Sequence, residues 1–100
     1  MNKNTHTESQ HLLSEICSVV SELETAVQIE AFLSELLTQS ELEDITKRWK
    51  ILKMLRDKKP QRYIAQELSV SLCKVTRGAK ILKNNHSTIR ELLFDESWRS

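Results

Sequence analysis

Gln61-Arg62-Tyr63-Ile64-Ala65-Gln66-Glu67-Leu68-Ser69-Val70-Ser71-Leu72-Cys73-Lys74-Val75-Thr76-Arg77-Gly78-Ala79-Lys80-Ile81-Leu82-Lys83 is the stretch that decides the fold. It reads as two short helices joined by a tight turn. Ile64, Ala65 and Leu68 share one face of the first helix. Val75 and Leu82 share a face of the second, with Ile81 near its edge. Val70 falls between them, where a turn residue can plug the gap, and Ala65 is small where two crossing helices come closest. This is the pattern of a helix-turn-helix, whose second helix enters the DNA major groove by its N-terminal end, here Ser71 to Arg77. One position departs from the pattern. The turn after Leu68 favours a left-handed backbone and glycine, so Ser69 must accept some strain or adopt a different turn.

The rest of the chain bounds the reading. One hundred residues suit a single domain near the lower end of comfortable core size, and short helical chains often complete their core by dimerising. With one Gly, one Pro and no alternating β-branched run, the prediction is all-α. No run of about eighteen apolar residues is present, so no membrane span is expected. The polar start, Met1 to Glu8, lacks a secretory core. Cys17 and Cys73 fall on different predicted helices and read as free thiols, which fits a cytoplasmic location. No Cys/His spacing suggests a zinc site, and His6, His11 and His86 are scattered, so neither a metal nor another cofactor is expected. There is no paired-carboxylate cleft, nucleophile–base pair or phosphate-cradling glycine loop, so no catalytic residue is assigned and an enzyme is not expected.

Net charge is +1, but its distribution is uneven. Residues 1–46 carry one basic and nine acidic side chains, a balance of −8. Residues 47–83 carry twelve basic and two acidic, a balance of +10, and residues 84–100 come to −1. The positive block coincides with the helix pair and the helix leading into it. That is the footprint of a DNA-facing module beside an acidic scaffold; a merely solvated lysine-rich surface is the plainer alternative.

In chain order, residues 1–7 are predicted to be a disordered arm, with one helical domain over 8–100. A first helix over Glu8 to Glu24 has the stripe Leu12, Ile16, Val19, Val20, Leu23, widened by Leu13 and Cys17. A second, Ala26 to Leu37, is apolar around much of its circumference, which suits the interior of an intertwined dimer or a buried helix in a monomeric bundle. Thr38 or Ser40 can cap a third helix ending near Asp57, with the stripe Leu42, Ile45, Trp49, Leu52, Leu55 and cations around its second half. Pro60 suits the first turn of the next helix, and Ser71 the N-cap of the one after. A last helix, Thr88 to Phe94, is expected to pack back through Ile89, Leu92, Leu93 and Phe94, with Trp98 beyond it.

Leu37-Thr38, Arg48, Gln61-Arg62, Val75-Thr76-Arg77-Gly78 and Leu82-Lys83 in this helix order resemble the tryptophan repressor family, itself one of the reference cases of the helix-turn-helix. The resemblance covers roughly residues 30–95. Its sharpest piece is Thr76-Arg77-Gly78, because a glycine inside a helix is disfavoured by propensity. The resemblance implies a six-helix intertwined homodimer that binds palindromic operator DNA as a repressor, with L-tryptophan as corepressor. It implies that Arg48 and Arg77 sandwich the indole, that one of them pairs the carboxylate, and that Gly78 leaves room for the ligand. It also implies that the backbone carbonyls of the Leu37–Thr38 segment, donated from the other subunit, receive the ligand's amino group. The chemistry is sensible: a planar guanidinium stacks on an aromatic face and pairs a carboxylate.

For DNA, Arg62 matches the family's base-contacting arginine, and Arg–guanine pairing is the commonest specific contact. Gln61, Lys58 and Lys59 can reach phosphates, and Ser71, Lys74, Thr76 and Arg77 lie at the reading end of the second helix. The chain departs from the family at Ile81, where tryptophan-binding members have a serine that hydrogen-bonds the ligand, and at Ala79-Lys80. The loop before Gln61 is one residue shorter. Two alternatives therefore stand beside the corepressor reading. One is the same DNA-binding fold answering to another small effector or to none. The other is a helical protein-interaction module with a basic face.

Overall fold

The structure, a computed structural model, describes residues 2–95. These form six helices and no strand: α1 Asn2–Glu22, α2 Ala26–Leu36, α3 Gln39–Arg56, α4 Gln61–Leu68, α5 Leu72–Lys83 and α6 Thr88–Asp95. The all-α expectation holds, and α4 has the boundaries read from the sequence. Helix α1 takes in residues 2–7, where a disordered arm was expected. No Gly or Pro precedes Leu12, so nothing in the sequence stops the helix from running back. Trp98 lies outside the described residues, as does the side chain of His6. None of the described helices is long and apolar enough to cross a membrane.

The chain forms two compact units, Met1–Leu42 and Glu43–Ser100. In the first, α2 starts on a reciprocal cap. The Gln28 N–H donates to Thr25 Oγ1 at 3.1 Å, and the Thr25 N–H to Gln28 Oε1 at 3.3 Å. No described residue of this unit is buried. Leu12, Leu13, Val19, Val27 and Leu36 are all exposed, Val27 at 77 %. The burial expected of α2 is therefore absent within a single chain.

The second unit holds the core. Ile51 of α3, Ile64 of α4 and Val75 of α5 meet in one cluster, with Ala65, Leu68 and Val70 packed against it. Burying one such aliphatic side chain contributes about 1.5–3 kcal/mol. Leu52, Leu82 and Leu93 form a second cluster that brings in α6. The predicted α3 stripe is half right: Leu52 is buried, but Ile45 is exposed and Ile51, absent from that stripe, is 2 % exposed. Two arginines fasten α6. Arg56, its side chain 6 % exposed, pairs with Asp57 at 3.1 Å and donates from Nη1 to the Leu93 carbonyl at 3.5 Å. Arg90 donates to the Leu82 carbonyl and lies 5.1 Å from the centre of the Phe94 ring. Of the four apolar α6 positions expected to pack back, Leu93 is buried and Ile89 half-buried, while Leu92 and Phe94 are exposed.

The turn between α4 and α5 uses the left-handed backbone without glycine. Ser69 has φ 54° and ψ 47°, and the Val70 N–H closes the turn on the Ala65 carbonyl at 3.0 Å. A Cβ in that region costs about 1–2 kcal/mol. Ser69→Gly should therefore stabilise the fold by up to about 1 kcal/mol, once the added freedom of the unfolded chain is subtracted, and raise the denaturation midpoint accordingly. Urea unfolding of the two proteins side by side checks this.

Candidate nucleic-acid interface

Helix α5 begins at a serine cap: Ser71 Oγ accepts from the Lys74 N–H at 3.4 Å. Its first turns leave Ser71, Lys74 and Arg77 exposed, while Val75 is wholly buried on the opposite face. Arg62 is exposed on the first turn of α4. Gln61 and Thr76 are only half-exposed, because the Thr76 hydroxyl donates to Gln61 Oε1 at 3.1 Å. That bond ties the start of α4 to the middle of α5. Thr76 thus fixes the helix pair as well as facing outward, a role helical spacing alone does not reveal.

Three of the expected ligand-binding residues come together. Arg48 of α3 and Arg77 and Gly78 of α5 line one cleft with Ile51, Lys74 and Ile81. Sequence spacing holds this set in retrospect: Lys74, Arg77, Gly78 and Ile81 fall at i, i+3, i+4 and i+7 of α5. Lys74 and Ile51 were not read as part of it. The cleft encloses about 20 Å³, room on the scale of one water molecule. Gly78 allows α5 to lie close on α3: a Cβ there would stand 3.1 Å from Leu55 Cδ1 and 3.3 Å from Ile51 Cγ2.

Leu37 and Thr38 belong to the first unit. Thr38 makes a reciprocal cap at the start of α3, its N–H donating to Glu41 Oε1 at 2.8 Å and its Oγ1 accepting from the Glu41 N–H at 3.1 Å. The Thr38 carbonyl accepts from the Leu42 N–H at 2.9 Å. Of the carbonyls that the resemblance assigns to an amino group, that of Thr38 is therefore already engaged by the first turn of α3. Cys17 and Cys73 are free and exposed.

The family model described as Trp repressor protein matches residues 10–97. Proteins named "Trp operon repressor homolog" from Xylella fastidiosa strains M23, Temecula1 / ATCC 700964 and 9a5c are each 32% identical over 72 residues, covering 71% of this chain and 78% of theirs. No solved structure gives a match. Fold and family together define a helical, trp-repressor-like regulator of transcription. The chain belongs to the Trp repressor protein family, over a span that takes in α1 from residue 10 as well as the residues from 30 onward.

The Thr38 backbone N–H, then its hydroxyl, hold the Glu41 carboxyl below the usual carboxylate range. A carboxyl whose folded pKa is depressed adds stability that is complete above its unfolded pKa and is lost as pH falls through the folded value. The start of α3 should therefore fray only below the ordinary Glu range. An NMR pH titration of the Thr38 amide should show a midpoint below that of the free side chain, and Thr38→Ala should move the Glu41 midpoint back up.

Proposed function

We propose that the chain is a DNA-binding transcriptional repressor that works as a homodimer on a palindromic site. The observation that carries this is the exposed reading end of α5 with Lys74 and Arg77, set beside Arg62 on a helix pair locked by Val75 and the Gln61–Thr76 bond. The +10 block over residues 47–83 supplies the attraction to phosphates. The dimer is supported by the first unit, in whose helices no described side chain is fully buried within one chain. Large exposed apolar faces call for a covering partner, and a second copy makes an α1–α2 interface of matching chemistry.

L-tryptophan is the proposed corepressor, seated between Arg48 and Arg77 with the partner's Leu37–Thr38 segment completing the site. A second reading, a regulator that answers to another effector or to none, is favoured by one observation. Ile81 occupies the wall where a hydrogen-bonding group would serve the ligand, and the cleft is only of water size. A tryptophan would have to separate α5 from α3 to enter.

Fluorescence anisotropy on duplexes selected from a random pool tests the DNA reading. For a dimer neutralising about six phosphates, log affinity should fall with log salt at a slope of roughly −5. Arg62→Ala should weaken the selected duplex by about 1–3 kcal/mol while sparing random duplex, as loss of a guanine contact requires. No duplex binding at low salt would defeat the reading.

Calorimetric titration with L-tryptophan separates the two effector readings. Saturable heat near one site per chain, lost in Arg77→Ala, makes it the corepressor. Duplex binding with no heat from L-tryptophan favours the second reading, and Ile81→Ser should then gain L-tryptophan binding if the remainder of the pocket is complete.

A further inference from the structure

A second cleft on unit two uses different residues of α5. It lies against the end of α3, the Lys58–Pro60 turn and the last turns of α5, and encloses about 340 Å³. That is within the range of small-molecule pockets, about 300–1,000 Å³. Its floor is Leu55, Ala79 and Leu82, and its rim is Lys58, Lys59 and Lys83. Ala79 and Leu82 are core residues, 8 % and 7 % exposed, so the floor is set by packing. The rim is also held. Lys58 has φ 63°, its N–H donates to the Leu55 carbonyl at 2.9 Å, and the Lys59 N–H donates to the Met54 carbonyl at 3.0 Å. No carboxylate lines this cleft, and none of the three lysines has an ion-pair partner among the described residues.

This combination selects its ligand by two opposed failures. A bare phosphate satisfies the ammonium groups but leaves the apolar floor wet. A neutral hydrocarbon covers the floor but strips water from the ammonium groups with nothing in return. A molecule with both parts meets both demands. We propose that this cleft binds a small amphiphilic acid, an aliphatic or aromatic body carrying one carboxylate, and that its occupancy competes with duplex DNA. The competition rests on the DNA reading above: Gln61 also lines the cleft and is bonded to Thr76, and the rim lysines are within the block that would meet phosphates.

The test is an NMR titration of the ¹⁵N-labelled full chain with octanoate, with octanamide as a probe of near-equal shape and no charge. Saturable shifts are expected at the Leu55, Ala79 and Leu82 amides. Octanamide, and octanoate on a K58Q/K59Q/K83Q variant, should bind about tenfold more weakly, as loss of exposed ion pairs predicts. Adding octanoate should raise the apparent Kd for duplex DNA. Equal binding of octanamide, or shifts confined to exposed apolar positions such as Leu12, Val27 and Leu36, would overturn the site. Absence of octanoate binding, with the variant losing only DNA affinity, would make the lysines backbone contacts alone and overturn it too. Octanoate binding in a protein that binds no duplex would uphold the site and sink the DNA reading. Duplex binding untouched by bound octanoate would sink the competition.

Discussion

The contact of Val75 with Ile51 and Ile64 is the constraint on which the second unit depends. Three helices meet at that point, and each contributes one wholly or almost wholly buried aliphatic side chain. A helix in contact along one face by side chains of fixed rotamer cannot rotate about its axis without opening a void. Val75 therefore sets which residues of α5 face outward, and Ser71, Lys74 and Arg77 are exposed because Val75 is not. Gly78 serves the same contact from one turn on, since the missing Cβ lets α5 lie close to the Leu55 and Ile51 side chains.

That constraint explains how much could be read from the sequence. The α4–α5 pair was legible because its contacts are short in sequence and its apolar spacing has one solution. Ile64, Ala65, Leu68, Val70 and Val75 pack together as the periodicity implied, while Leu82 is buried instead with Leu52 and Leu93. Ser71 as a cap, and Arg48, Arg77 and Gly78 as neighbours, were likewise visible, the latter through resemblance rather than spacing.

Other features were hidden for physical reasons. The α3 stripe was misjudged because Ile51 lies beside a run of cations, and a helix that meets neighbours on more than one side has no single apolar face. Arg56 read as one of those cations, yet its long side chain is buried against α6, an arrangement set by a contact thirty-seven residues away. The Thr76–Gln61 bond spans fifteen residues and follows no local rule. Ser69 in the left-handed region shows the converse. The strain foreseen at that position is present, and packing of Val70 against the core compensates for it.

The first unit has a consequence for biosynthesis. Its two helices leave the ribosome before the residues that hold the chain's own core, and none of their described side chains finds a buried place within one chain. Isolated helices of this length gain little from propensity alone. If the chain is the proposed homodimer, the described N-terminal helices of each nascent chain have no buried core of their own to complete before a second copy arrives. The acidic character of residues 1–42, seven carboxylates against one lysine, would keep these segments of the proposed dimer mutually repelled until a second chain is near enough for apolar burial to outweigh that repulsion.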